Sequence, residues 1–400
     1  MPVDVRLRPT PAERKARIAV AALFLTNGAL FANLVPRLPQ IKAALDLDNS
    51  AYGIVVAAFP AGAIVVGLTS ATLIRRFGSA PLAVVSTILA GAAMWAAVMV
   101  HSAFALAALL FLAGAVDSVT DVAQNAHGLR VQRRYGRSII NSFHALWSVG
   151  AVTGGSMAAA AIALEMPIGL HIGISSALCG LVALAALRFC LPGRDDEPEA
   201  ATGAPEQDVK RRAVGLRTVL VLTALVFIAI GGTIVEDAGS SWATLYLSTD
   251  LAAPAALAAT GFVSLVGAQF IGRMLGDRLV DRFGQRAVAR AGGFLVAAGM
   301  GLALAFPTVP GTIVGFATAG LGVATLVPAA MHEADELPGL RTGTGLTVVS
   351  WLMRLGFLLS PPLVGLVADA TDLRVGLLVV PIAGVLVIAL SGVLKSRRTA

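Results

Sequence analysis

Two carboxylates and an amide stand at a four-residue spacing inside an apolar stretch of this chain: Asp117, Asp121 and Asn125. On a helix each step of four turns about 400°, so the three line one slowly drifting face. Counting about 1.5 Å per residue inward from Arg130 puts Asp117 about 20 Å deep and Asp121 about 13 Å. A carboxylate in so apolar a setting is held more easily neutral than charged. Such a group suits the carrying of a proton, with a structural pair buried between helices as the plainer alternative. A following stretch carries His144 and Ser148 on one face with Asn141, and His144 falls near the depth of Asp121. An Asp121–His144 contact would tune both groups. Arg354 is the one basic residue deep in an apolar segment, about 20 Å from Arg341. It needs a carboxylate from the protein or from a ligand, and Asp117 and Glu236 are the candidates.

Other polar groups are suited to hold a solute. Phe24, Asn27 and Phe31 form a stripe in which an amide supplies hydrogen bonds and rings supply stacking, although the same set also serves helix packing. Glu236 and Asp237 follow Gly231–Gly232, a pair that weakens a helix and predicts a bend or unwinding there. Trp242 and Tyr246 read equally as interfacial anchors or as stacking platforms. Cys179 and Cys190 lie about 16 Å apart along one helix, too far to bridge. No metal-ligand spacing, glycine-lysine phosphate loop, HExxH or GxSxG pattern is present. Neither catalysis nor a cofactor is expected.

The elements that position these groups follow from the composition. Hydrophobic residues make up 57% of the 400-residue chain and charged residues 13%, against about 25% in a soluble domain; the mean hydropathy is +0.82. Twelve apolar segments of spanning length can be marked, at 18–35, 50–74, 81–100, 103–126, 138–164, 167–190, 218–247, 252–275, 287–306, 310–331, 343–367 and 373–394. The amino tail, the even gaps and the carboxyl tail hold 26 of the 30 Lys and Arg; the odd gaps hold Arg37, Lys42 and Arg374. Basic loops stay on the cytoplasmic side, which predicts a multi-pass protein of the cytoplasmic membrane with both ends inside and an uncleaved first helix. The net charge of +7 is then explained by lipid headgroups, not nucleic acid.

Residues 191–216 are rich in Pro, Gly, Glu and Asp and read as a solvated linker. It separates a six-helix bundle at 1–190 from another at 217–400. The halves repeat: LIRRFGSA (73–80) and LVDRFGQR (279–286) share four of eight residues, and the same offset of 206 pairs Gly114 with Gly320 and Gly150 with Gly356.

In these features the chain resembles the major facilitator superfamily, which implies an all-α membrane fold of twelve transmembrane helices in two pseudo-symmetric bundles. The loop signature carries the resemblance: Gly276, Asp277, Asp281, Arg282 and Gly284 in the second copy, and Arg75, Arg76 and Gly78 in the first. Arg75 stands where the family has Asp. The resemblance implies that this Asp caps a helix and pairs with arginines as a gate latch, stronger around Asp281 than around Arg75. The stretches Asp121-Val-Ala-Gln-Asn125, Ser142-Phe-His144 to Gly150, and Glu236-Asp237 to Trp242 are similar to the fucose-permease-like branch.

The expected function is a secondary transporter that imports a small polar, sugar-like solute with protons by rocking of its two halves. Asp117 is the coupling carboxylate, Asp121 and His144 relay or tune, and Arg354 is the counter-charge. Asn27, Phe31, Asn125, Ser148, Glu236, Asp237 and Trp242 contact the solute, and Na⁺ in place of H⁺ stays open. The alternatives are an efflux antiporter for cationic or amphipathic compounds and a non-transporting sensor. A monomer is expected.

Overall fold

A segment crossing a bilayer must satisfy its own backbone hydrogen bonds, and here it does so with helices alone. The structure, a computed structural model, describes residues 9–136, 139–193, 215–340 and 344–396. Among the described residues there is no strand, and twelve helices are long and apolar enough to span a membrane. We number these spans in chain order: Pro11–Ala44, Asn49–Gly67, Ser79–Ala97, Ala103–Tyr135, Ser142–Ala163, Ile168–Leu187, Leu216–Thr249, Ala255–Gly276, Gln285–Ala305, Val309–Asp335, Thr344–Ala370 and Leu373–Val393. Their outward faces are apolar, with Phe104, Ile382 and Leu181 well exposed.

Several helices outrun their apolar cores. Span one begins at Pro11, where Thr10 Oγ1 accepts from the Glu13 N–H and the Glu13 carboxylate accepts from the Thr10 N–H. This reciprocal cap satisfies two orphan donors of the first turn. Span four continues to Tyr135 and stops at Gly136, whose φ of 69° is left-handed. Arg130, counted among loop residues from the sequence, is therefore a buried helical residue; it donates to the carbonyls of Pro192 and Gly193. Arg37 is likewise no loop charge. It is buried and donates to His171 Nδ1, Gln40 Oε1 and the Met166 carbonyl. Of the 191–216 linker, 194–214 lie outside the described residues.

The unwinding that Gly231–Gly232 could have allowed is absent: Leu216–Thr249 is one continuous helix. These glycines instead make room for neighbours, since a Cβ on them would meet Val387 and Val327 at 3.5 and 3.3 Å. The interruptions fall elsewhere, between Val323 and Leu326 in span ten and at Met353 in span eleven. At the second, the Met353 carbonyl accepts from the Gly356 N–H in a tightened turn and also from Thr233 Oγ1, each at 2.9 Å.

The sequence repeat is a repeat of close approaches. Gly78 and Gly284 share a backbone, φ 83° with ψ 150° and 155°, that suits glycine alone. A Cβ on Gly114 would lie 1.9 Å from the Phe59 carbonyl oxygen, and one on Gly320 2.1 Å from that of Leu265. Phe59 and Leu265 are themselves 206 positions apart, so both members of each contact obey one offset.

The chain divides into two compact units: Met1–Leu45 with Ala58–Pro198, and Asp46–Ala57 with Glu199–Ala400. The N-terminal end of span two thus belongs with the second unit, a division the linker alone did not reveal. The Asp369 carboxylate accepts from the Asn49 and Ser50 N–H groups at 3.0 and 2.7 Å and from the Ser50 hydroxyl, and Tyr52 Oη donates to the Ser241 carbonyl at 2.7 Å.

Candidate functional site

In the first unit the polar groups gather around Asn27. Its Nδ2 donates to Asp117 Oδ1 at 2.8 Å, while its Oδ1 accepts from Trp147 Nε1 at 2.8 Å and from Gln124 Nε2 at 3.3 Å. Spans one, four and five each supply a member. Asn27 and Gln124 are buried and Asp117 is half-buried. Gln124 and Trp147 were absent from the candidate set. The signal for Gln124 was its spacing: seven residues make nearly two helical turns, so Gln124 returns to within about 20° of Asp117. Asn125, at eight, has drifted about 80° and bonds instead to the backbone and side chain of Asp121 at 2.8 and 3.1 Å.

Asp121 and His144 are both exposed, and His144 stands edge-on to Phe24 with ring centroids 5.2 Å apart. Ser148 is buried and donates to the His144 carbonyl, and Phe31 packs on Phe59 at 4.3 Å. The Asn141 side chain lies outside the described residues. The unit can therefore present a carboxyl, two amides and an indole N–H from three helices.

In the second unit Glu236 accepts from Gln269 Nε2 at 2.7 Å and lies 3.8 Å from Arg273. The candidate pairing of Glu236 with Arg354 gives way to this one, because span eight places both an amide and a guanidinium against the carboxylate. Among the described residues no salt bridge reaches Arg354, which sits half-buried at the restart of span eleven. Asp237 is buried and accepts from Ser241 Oγ at 3.3 Å. Trp242 is fully buried, edge-on to Tyr52 at 4.9 Å, so it is neither an interfacial anchor nor an open stacking face in this structure.

At the loop signature, Arg76 and Arg282 each lie 5.4 Å from the ring of the following phenylalanine, Phe77 and Phe283. Arg75 donates to Thr72 Oγ1. Gly284 provides the left-handed turn already noted. Asp281 is exposed, and among the described residues no salt bridge latches it. The Asp277 side chain lies outside the described residues. Among the described residues no group of three His, Cys, Asp or Glu is placed to hold a metal, and both cysteines are free.

The family model for the Major Facilitator Superfamily matches residues 20–278 and 238–399. The chain is 28% identical over 379 residues to the uncharacterised transporter y4wD of Sinorhizobium fredii (strain NBRC 101917 / NGR234), covering 94% of this chain and 97% of that one. It is 28% identical over 380 residues to the membrane protein MosC of Rhizobium meliloti, covering 94% and 89%. In fold it is similar to the nucleoside transporter NupG, with a TM-score of 0.73 at 12% identity over 96% of this chain and 99% of that one. A D-xylose–proton symporter gives 0.70 at 15% identity over 95% and 96%.

Proposed function

The chain belongs to the Major Facilitator Superfamily, and we propose that this secondary transporter moves a small polar, sugar-like solute together with protons by alternating access. Membership makes the protein a membrane transporter and not an enzyme. The observation that carries the finer reading is the Asn27 cage. A carboxyl with one strong neutral donor, Asn27 Nδ2 at 2.8 Å, can exist with or without its proton while keeping that bond. Asp117 is the coupling group in this reading, and Asp121 and His144, both exposed, pass protons to and from it. The solute is held through hydrogen bonds to Asn125, Ser148 and Glu236, with Phe31 packing on its apolar edge. Arg354, half-buried and free of any salt bridge among the described residues, supplies the counter-charge when the carboxylate is ionised. The fucose-permease-like branch fits this reading, as do two fold neighbours whose names describe a nucleoside transporter and a xylose–proton symporter. We place the protein in the cytoplasmic membrane with both ends inside, on the distribution of Lys and Arg.

The test is a panel of sugars and nucleosides screened by thermal stabilisation of the detergent-solubilised protein. The best stabiliser is then added to proteoliposomes carrying an internal pH indicator. Solute entry should carry protons in the same direction, and Asp117→Asn should keep solute exchange while losing proton movement. Transport by Asp117→Asn with the pH dependence of the parent would remove Asp117 from the mechanism.

A further inference from the structure

Away from the Asn27 cage, the second unit contains a buried carboxyl group whose hydrogen bonding is incomplete. Asp237 in span seven is 8% exposed and Ser360 in span eleven 1%. Asp237 Oδ1 accepts from Ser241 Oγ. Asp237 Oδ2 and Ser360 Oγ complete no hydrogen bond of normal geometry, although the Ser360 hydroxyl neighbours that carboxyl. Two orphaned buried oxygens side by side call for a hydrogen between them, a water or a cation, and a proton on the carboxyl supplies the hydrogen while removing the cost of a buried charge.

We propose that Asp237 is a second proton-binding site, neutral when occupied, in which Oδ2–H donates to Ser360 Oγ and Oδ1 accepts from Ser241. One proton taken from water satisfies both orphaned oxygens at once. A metal cation fits less well, since hard cations gather about six oxygens and this site offers the carboxyl and two hydroxyls.

The ionisable groups around Asp237 agree with that assignment. Glu236 on the same helix is engaged by Gln269 and Arg273 of span eight. Tyr52, from the N-terminal end of span two, faces Asp237 and is itself fully committed to the Ser241 carbonyl. Arg354 lies six residues before Ser360 on span eleven, about 9 Å along the helix. The helices Val309–Val323 and Val379–Leu390 bring no ionisable side chain, and His332, Glu333 and Asp335 lie at the far end of span ten, where Glu333 meets Lys395. Among the described residues no cation pairs with Asp237, so loss of its proton is answered by water.

The path for that water is the contact that closes the site. Ser241 joins Asp237 through its hydroxyl and Tyr52 through its carbonyl, so the carboxyl and the segment Asp46–Ala57 share one residue. Proton release therefore loosens Tyr52 from span seven, and proton binding secures it. This device is independent of Asp117 and of any solute.

Hydrogen exchange on the full-length protein in detergent tests it. After correction for intrinsic rates, protection of the amides from Tyr52 to Ala57 should fall at least tenfold as pH is raised in the parent. In Asp237→Asn, whose amide donates to Ser360 Oγ at every pH, protection should not change. The same pH dependence in the parent and the variant would overturn the proposal, as would protection that follows added Na⁺ at fixed pH. Infrared difference spectra supply a second reading that does not need the Asn variant. A carboxylic-acid carbonyl band at neutral pH should move to higher frequency in Ser241→Ala, where Oδ1 loses its donor. An unmoved band would refute the site.

Discussion

Asn27 holds three partners with one side chain, which makes its removal the sharpest test of the cage. Asn27→Ala leaves Asp117 Oδ1, Trp147 Nε1 and Gln124 Nε2 without their bonds of 2.8, 2.8 and 3.3 Å. Asp117 and Trp147 are half-buried, so water replaces part of what they lose, at about 1 kcal/mol each. Gln124 is fully buried with its Oε1 already lacking a partner, but its Nε2 keeps a long bond of 3.5 Å to Asp121 Oδ1, so the loss there costs about 1 kcal/mol. The expected destabilisation is about 3 kcal/mol before any loss of packing. Asn27→Asp keeps the acceptor for Trp147 and Gln124 but sets a carboxyl oxygen against Asp117, where two acids at that distance must share a proton. Asp117→Asn alone is mild, because the new amide oxygen can still accept from Asn27. Combining Asn27→Asp with Asp117→Asn inverts the pair: the amide at 117 now donates to the acid at 27, and the indole and Gln124 bonds persist. A double-mutant cycle from unfolding in mixed micelles should return a favourable coupling of about 1.5–3 kcal/mol. Coupling below about 0.5 kcal/mol would show that the two side chains do not act on one another and would dissolve the cage.

The glycine repeat predicts paired losses: Gly114→Ala and Gly320→Ala place a Cβ 1.9 and 2.1 Å from backbone oxygens and should each cost about 1–3 kcal/mol or more by thermal unfolding. Gly215→Ala, with nothing within 4 Å, should stay within about 0.5 kcal/mol of the parent; equal effects at all three would refute the close approaches. Asp369→Ala removes the acceptor that caps Asn49 and Ser50 and should cost about 0.5–2 kcal/mol, with faster amide exchange confined to the first turn of span two. Lys395 holds the exposed Glu336 carboxyl below its ordinary range, chiefly through their hydrogen bond. A lowered folded value means that the contribution is complete above about pH 4.3 and is lost as pH falls through the folded value. The melting-temperature difference between the parent and Lys395→Ala should therefore shrink on acidification and in high salt; a difference that grows on acidification would contradict the pairing.

The twelve spans and the internal repeat were legible because both rest on quantities a sequence carries directly, namely apolar length and residue identity at a fixed offset. Helix ends were less so. Pro11–Arg17 is polar, and only the cap formed by Thr10 and Glu13 shows that the helix has already begun. The break at Met353 lies where a hydroxyl 120 positions away, on Thr233, meets the carbonyl of the tightened turn. Gly231–Gly232, which look like a hinge in isolation, stay helical against Val387 and Val327. Propensity suggests where a helix can break, and tertiary partners decide where it does.

Within the site, depth was legible and azimuth was not. Counting from the nearest basic residue places Asp117 about 20 Å into its helix, and the same count from Arg17 puts Asn27 at about 15 Å, near enough for the bond the two make. The direction each side chain takes around its helix depends on small drifts. A step of four overshoots a full turn by about 40° and a step of seven falls short of two by about 20°. Asp117 and Gln124 therefore share Asn27, whereas Asp121 turns with Asn125 to an exposed face. A soluble helix would announce its buried side by a polar stripe opposite. In a bundle surrounded by lipid that stripe is missing, so a polar residue's heptad partners are better evidence of its facing than its tetrad partners.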